Sequence, residues 1–191
     1  MTTGVKTFSS EGMKTQKFDN TPPAPKEYDA VLNAAGVAIA NTQDGRPYIQ
    51  GVRFELKGTA TVEGGRNRTI SATFWLDTKA FKQDGIPAVG KADGLVPLAR
   101  AMGEELNGIP EVTITGTDAE GNPRDMDMLD PRATKAWLQA HDGRALRLKT
   151  KLRADRDDPK IKYGAVHFFI EQQSSGGAPA SAGPEVEISI P

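Results

Sequence analysis

Residues 146–153 read L-R-L-K-T-K-L-R, and this alternation decides how the chain is read. Successive side chains of a pleated strand point to opposite faces, so Leu146, Leu148 and Leu152 are expected in a core. Arg147, Lys149, Lys151 and Arg153 then form a row of four cations on the other face. The turn-like D-R-D-D-P that follows would return Lys160 and Lys162 beside that row on a hairpin partner. Residues 144–163 carry four Arg and four Lys against three Asp, whereas the whole chain has a net charge of -1. The positive charge is therefore local, as expected where a surface meets phosphates.

Downstream, Y-G-A-V-H-F-F-I (163–170) reads as the last strand. It has aromatics on both sides, because Tyr163, His167 and Phe169 share one face and Val166, Phe168 and Ile170 the other. A bulge at Gly164 would change that register. Upstream, Asp130 reads as an N-cap with Pro131 at the first helical position and Gly143 as the stop, giving a helix with Trp137, Ala133 and Ala140 on its buried side. His141 is expected to interact with the C-terminus of that helix and not with a substrate.

Two further strands are plain in the pattern. Val52, Phe54 and Leu56 alternate with Arg53, Glu55 and Lys57, and Ile70, Ala72, Phe74 and Leu76 alternate with Ser71, Thr73 and Trp75. Residues 28–40 (Y-D-A-V-L-N-A-A-G-V-A-I-A) are expected to form a strand bent or bulged near Gly36. L-V-P-L-A-R-A-M-G-E-E-L (95–106) has helical spacing, with Pro97 tolerated in the first turn. Val112 and Ile114 mark a short strand, followed by an acidic loop, D-A-E-G-N-P-R-D-M-D-M (118–128). Residues 1–25, closing on T-P-P-A-P, are expected to be a flexible arm, residues 26–171 a folded domain, and residues 172–191 a flexible linker with a short acidic tip.

The chain has 191 residues, 37% of them hydrophobic, with 20 Gly and 13 Pro, a composition that suits a mainly β protein with long loops. Its length is enough to bury a real core. With no run of about 18 apolar residues and no signal-like apolar stretch, it is expected to be soluble and cytoplasmic, with no membrane partner. Zero cysteine and two histidines exclude disulfides and leave no zinc constellation. No cofactor is expected. A metal-dependent nuclease built on Asp125, Asp127 and Asp130 is the one catalytic reading worth weighing, since hard cations take carboxylate oxygens. The expectation is a protein that is not an enzyme.

Three strands, helical material and a terminal hairpin match the plan of a five-stranded, antiparallel oligonucleotide/oligosaccharide-binding barrel (OB-fold), with one or two short helices and flexible termini. The chain also resembles phage-type OB-fold single-stranded DNA-binding proteins. That resemblance spans roughly residues 26–171. It is carried by Y-D-A-V-L-N-A-A-G-V-A-I-A with G-R-P-Y-I-Q-G-V-R-F-E-L, by T-I-S-A-T-F-W-L, by L-A-R-A-M-G, and by G-R-A-L-R-L-K-T-K-L-R with V-H-F-F-I. It implies protection of single-stranded DNA during replication or recombination, and a C-terminal tail that recruits replication or recombination proteins. The tip departs from the family pattern, with only Glu185 and Glu187 and an Ile190-Pro191 end.

Binding single strands without sequence preference requires a positive groove and aromatic faces on which bases stack, each stack contributing about 1–3 kcal/mol. Trp75 is the first stacking candidate, with Tyr48 and Tyr163 behind it. Arg53, Lys57, Arg147, Lys149, Lys151, Arg153, Lys160 and Lys162 are the phosphate candidates. Burial of Trp75 under a helix or the N-terminal segment is the competing structural reading, and edge protection is the competing reading of the cation row. From another class, a viral assembly protein that contacts other proteins through a β-barrel and tails fits the same composition. The oligomeric state, monomer or homodimer, is left open by the sequence.

Overall fold

A computed structural model describes residues 21–60, 67–79, 85–117 and 120–172. The expected arm up to residue 20 and the expected linker and tip from residue 173 lie outside the described residues. The chain is mainly β, with eight strands and two α-helices among those residues: β1 (Glu27–Asn33), β2 (Ala38–Asn41), β3 (Pro47–Ala60), β4 (Asn67–Trp75), α1 (Leu95–Ala101), β5 (Glu111–Thr117), β6 (Pro123–Leu129), α2 (Pro131–Ala140), β7 (Ala145–Ala154) and β8 (Lys162–Ile170).

Six strands form one antiparallel sheet, and β5 with β6 forms a separate hairpin. Along one edge of β3, β2 pairs with residues 47–50 and β1 with residues 53–56, while β4 takes the other edge. β1 and β2 are thus a single strand broken at residues 34–37, as the Gly36 pattern predicted. The break brings two backbones together: Gly51 sits at φ 80°, and a Cβ on it would collide with the Gly36 carbonyl. β7 pairs with the free edge of β1 and β8 with β7, so the order is β4-β3-β1-β7-β8.

The sheet curls until β4 and β8 approach each other, but no ladder joins them. The mainly β, antiparallel architecture expected from the sequence is present, but the sheet has six strands among the described residues and an open seam where a five-stranded barrel was expected. Phe54, Phe74 and Phe169 meet inside the curl, with ring centroids 5.3 Å (Phe54–Phe169) and 6.3 Å (Phe74–Phe169) apart. Around them Leu32, Ile49, Val52, Leu56, Leu98 and Leu148 are fully buried. Burial of side chains this size contributes roughly 1.5–3 kcal/mol each, the main favourable term in the fold.

Several local expectations are corrected. Leu152 is 42% exposed, because the inward face of β7 carries Leu146, Leu148 and Thr150 and then runs past the core. The bulge in β8 lies at His167 and not at Gly164: Lys149 faces Phe168 and Thr150 faces Val166, which skips one residue and turns both Val166 and Phe169 inward. Helix α1 ends at Ala101 and not at Leu106, the chain reversing at Gly103 with φ 79°. The acidic loop is largely strand β6, paired in full register with β5, its Met126 and Met128 turned inward and Asp125 opposite Thr115. Helix α2 starts as expected, with Asp130 accepting the Ala133 N–H at 2.7 Å, but its buried residues are Thr134 and Leu138; Trp137 is half-buried and Ala140 exposed.

Residues 21–26 are not a free arm. Thr150 Oγ1 donates to Ala24 O (2.9 Å), its amide donates to Lys26 O (3.0 Å), and Arg68 donates to Thr21 O (2.9 Å). Burial raises the Tyr28 phenol pKa above its usual value, and its hydroxyl donates to Ala24 O (3.0 Å). The prolines form a strap across the seam. A methyl group on Gly164 would stand 2.7 Å from Pro23 Cδ and Cγ and 3.3 Å from Ile70 Cγ2, so the strap fits only against a bare backbone.

Candidate nucleic-acid interface

The seam between β4 and β8 is a cleft of about 400 Å³. One wall is the outer face of β4 (Ser71, Thr73, Trp75), the other is Arg153, Tyr163 and Ala165 of the β7–β8 hairpin, and the end is closed by Lys91, Asp93 and Gly94 ahead of α1. Higher along β8 the seam is filled, because Phe169 N–H donates to Ala92 O (3.0 Å) and Gln172 N–H to Arg100 O (3.2 Å).

Trp75 is the last residue of β4 and is 37% exposed, so neither described helix buries it. It lies across from Tyr48 on β3, their rings 5.1 Å apart and tilted by 41°. The Arg46 guanidinium carbon stands 4.6 Å from the Trp75 ring centroid. Arg46 is held by its turn: its N–H donates to Thr42 Oγ1 (3.0 Å), its carbonyl accepts the Thr42 N–H (3.0 Å), and Gly45 supplies φ 80°. The same hydroxyl donates to Asp44, holding that carboxyl below the usual carboxylate range.

The expected cation row is divided by the fold. Arg153 and Tyr163, which pair across the hairpin, reach the cleft, with Tyr163 43% exposed. Arg147 is turned onto β1, 3.1 Å from Glu27 and 3.5 Å from Asp29, outside the cleft lining. Lys149 places its ammonium 5.5 Å from the Phe168 ring, and Lys151, half-buried, faces Ala165. Lys162 opposes Ala154, and Lys160 sits in the turn where Asp158 accepts its N–H (3.0 Å); both are exposed at the hairpin tip. Arg53, opposite Ser71, and Lys57 are exposed on the outer face of β3, outside the cleft lining.

Four charged residues of the cleft were not among the sequence candidates: Arg46 just ahead of β3, Asp77 just past the end of the β4 alternation, and Lys91 and Asp93 between β4 and α1. Asp77 is a buried carboxylate whose Oδ2 is 4.0 Å from Arg46 Nη1. Asp93, beside Lys91, is a second carboxylate of the cleft lining, whereas the three acidic candidates of the sequence are committed elsewhere. Thr115 and Thr113 hydroxyls donate to Asp125 (2.8 Å) and Asp127 (2.5 Å), Lys79 pairs with Asp127, and Asp130 caps α2. Among the described residues no three His, Asp or Glu side chains gather as a metal site. His141 lies where expected, at the end of α2, 2.7 Å from Trp137 O and 2.6 Å from Glu104 Oε2. No described helix is long and apolar enough to cross a membrane.

No protein-family model matches the chain, and no curated protein is similar to it in sequence. Fold and cleft together define a mainly β, antiparallel-sheet protein with an aromatic and cationic cleft at the seam of its sheet.

Proposed function

We propose that the chain binds single-stranded DNA with little sequence preference and protects it during replication or recombination, acting as a binding protein without catalytic activity. The observation that carries this reading is the meeting of Trp75, Tyr163, Arg46, Lys91 and Arg153 around one cleft. Stacking surfaces and phosphate partners at one groove are what a single strand requires, and the π-face of every base makes the stacking tolerant of sequence. The strand connectivity supports it further. Taking β1 with β2 as one broken strand, the five strands β1, β3, β4, β7 and β8 are compatible with the reading of the chain as an OB-fold, a partly open barrel whose second and third strands and loops 1–2 and 4–5 bind oligonucleotides. On that reading those loops would be the Arg46 turn and the hairpin tip carrying Lys160 and Lys162.

The test is a titration of the intrinsic tryptophan fluorescence with oligothymidine at low and moderate salt, with a duplex of equal length as control. Quenching by the single strand that weakens with salt, and little response to duplex, is the expected result. Phosphate contacts release counterions and base stacking needs unpaired bases. No response, confirmed by the absence of a mobility shift, rejects the reading in favour of a structural or assembly role.

A further inference from the structure

Asp77 is an odd residue for a polyanion-binding cleft. Its side chain is only 6% exposed, yet it lines the same cleft as Trp75 and Arg153. Burying a carboxylate is costly, and it repels phosphate. Its one ion-pair contact among the described residues, Arg46 Nη1 at 4.0 Å, lies beyond hydrogen-bond distance. The backbone fixes its place: Asp77 bridges to Met128, its carbonyl accepts the Val89 N–H (3.3 Å), and the neighbouring Leu76 carbonyl accepts the Leu129 N–H (2.9 Å). The carboxylate is therefore built into the floor and is not a flexible surface charge.

An ionised carboxylate can only accept hydrogen bonds. Phosphates belong at the Lys91 and Arg153 rim, and the group a nucleotide can offer the floor is the edge of its base. A cleft of about 400 Å³ is within the range of pockets that enclose small ligands. We infer that Asp77 reads one base of the bound strand, accepting from an exocyclic amine such as the cytosine N4 group while that base stacks on Trp75, so that amine-bearing bases are preferred to thymine at this one position. This inference rests on the single-strand reading of the cleft and adds a discriminating subsite to an otherwise tolerant groove. Thymine presents a carbonyl oxygen where cytosine presents N4, and two facing acceptors leave both without a partner.

The experiment measures dissociation constants of the full chain for short oligodeoxycytidine, oligodeoxythymidine, and an oligodeoxycytidine whose N4 amines carry two methyl groups. A cytidine preference of about tenfold is expected, the size of one hydrogen bond to a charged acceptor, abolished by N4 methylation. In Asp77→Asn, verified as folded by its thermal transition, the side chain both donates and accepts, so the cytidine-to-thymidine ratio falls toward one even if loss of a negative charge tightens both. A purely structural Asp77 would change the two affinities together. Equal binding of all three oligomers by the unaltered protein, or a preference that survives N4 methylation, overturns the inference while leaving the single-strand reading intact. Binding to none of them rejects both. The methylated oligomer decides the matter even if the variant fails to fold.

Discussion

Replacing Trp75 with alanine separates a binding role from a structural one. The ring is 37% exposed, so truncation opens no core cavity. What the fold loses is the contact with Tyr48 at 5.1 Å, about 0.5–1.5 kcal/mol for an aromatic pair, and the Arg46 cation at 4.6 Å, about 0.5–1 kcal/mol at an exposed site. The sum, about 1–2.5 kcal/mol, lies below the roughly 5–15 kcal/mol of a typical fold, so the variant should stay folded with a lowered melting temperature. One lost base stack costs about 1–3 kcal/mol of binding, a weakening of roughly 5- to 150-fold. Trp75→Phe, which keeps a smaller stacking face, should fall between. Because the variant retains only Trp137 of the two tryptophans, affinity is best read from the anisotropy of a labelled oligothymidine, with circular dichroism melts run in parallel. A folded Trp75→Ala protein that binds within twofold of the parent would refute the stacking role.

Arg153→Ala should lower affinity and flatten the dependence of log affinity on log salt by about 0.7, the share of one phosphate contact on a single strand; an unchanged slope removes Arg153 from the path. Gly164→Ala drives a methyl group into Pro23 and should cost roughly 1–3 kcal/mol of stability, seen in the denaturant midpoint; a neutral outcome would mean that the strap does not depend on this contact. The β5–β6 hairpin should be pH-sensitive at both extremes. Its bond to Lys79, then that to Thr113, holds Asp127 below its ordinary pKa, and the same pairing holds Lys79 above its own. The Asp127 contribution is thus present above the ordinary carboxylate range and lost as pH falls through the lowered value. The Lys79 contribution is present below the ordinary lysine value and lost as pH rises through the raised one. Intrinsic-rate-corrected hydrogen exchange at the Thr78 and Leu129 amides should show a plateau from about pH 5 to about pH 9 and declining protection on either side; in Asp127→Asn the acid limb should disappear.

Much of the sheet was legible because burial on one face writes itself as a period of two. Val52, Phe54 and Leu56 alternate with polar residues, and all three are fully buried. β6 carried the same signal in Met126 and Met128, yet Asp125 and Asp127, alternating with them, made the stretch read as an acidic loop. Leu152 shows the converse failure, since alternation continues past the point where the core stops. The β8 bulge was sought at the glycine, but register is set by what packs inside, and Phe169 had to face Phe54 and Phe74. The site was legible in part. Trp75, Arg153 and Tyr163 announced themselves by residue type on predicted strands. Arg46 and Asp77 belong to no repeating pattern, and only the folded chain brings them together. The loss of Arg147 to Glu27 and Asp29 was hidden for a related reason, because those carboxylates lie on a strand more than a hundred residues away in sequence.

The strap at residues 21–26 bears on the order in which the molecule assembles. Its hydrogen bond from Thr150 to Ala24 spans 126 residues of sequence, and Pro23 rests on Gly164, near the start of the last strand. During synthesis the strap leaves the ribosome before β7 and β8, yet its docking surface does not exist until those two strands have been made and have paired. Contacts this distant in sequence slow folding and leave sheet edges uncovered while they wait. Until the strap lands, β4 and β8 present open edges, so misassembly should compete with folding through these two edges more than through any other part of the sheet.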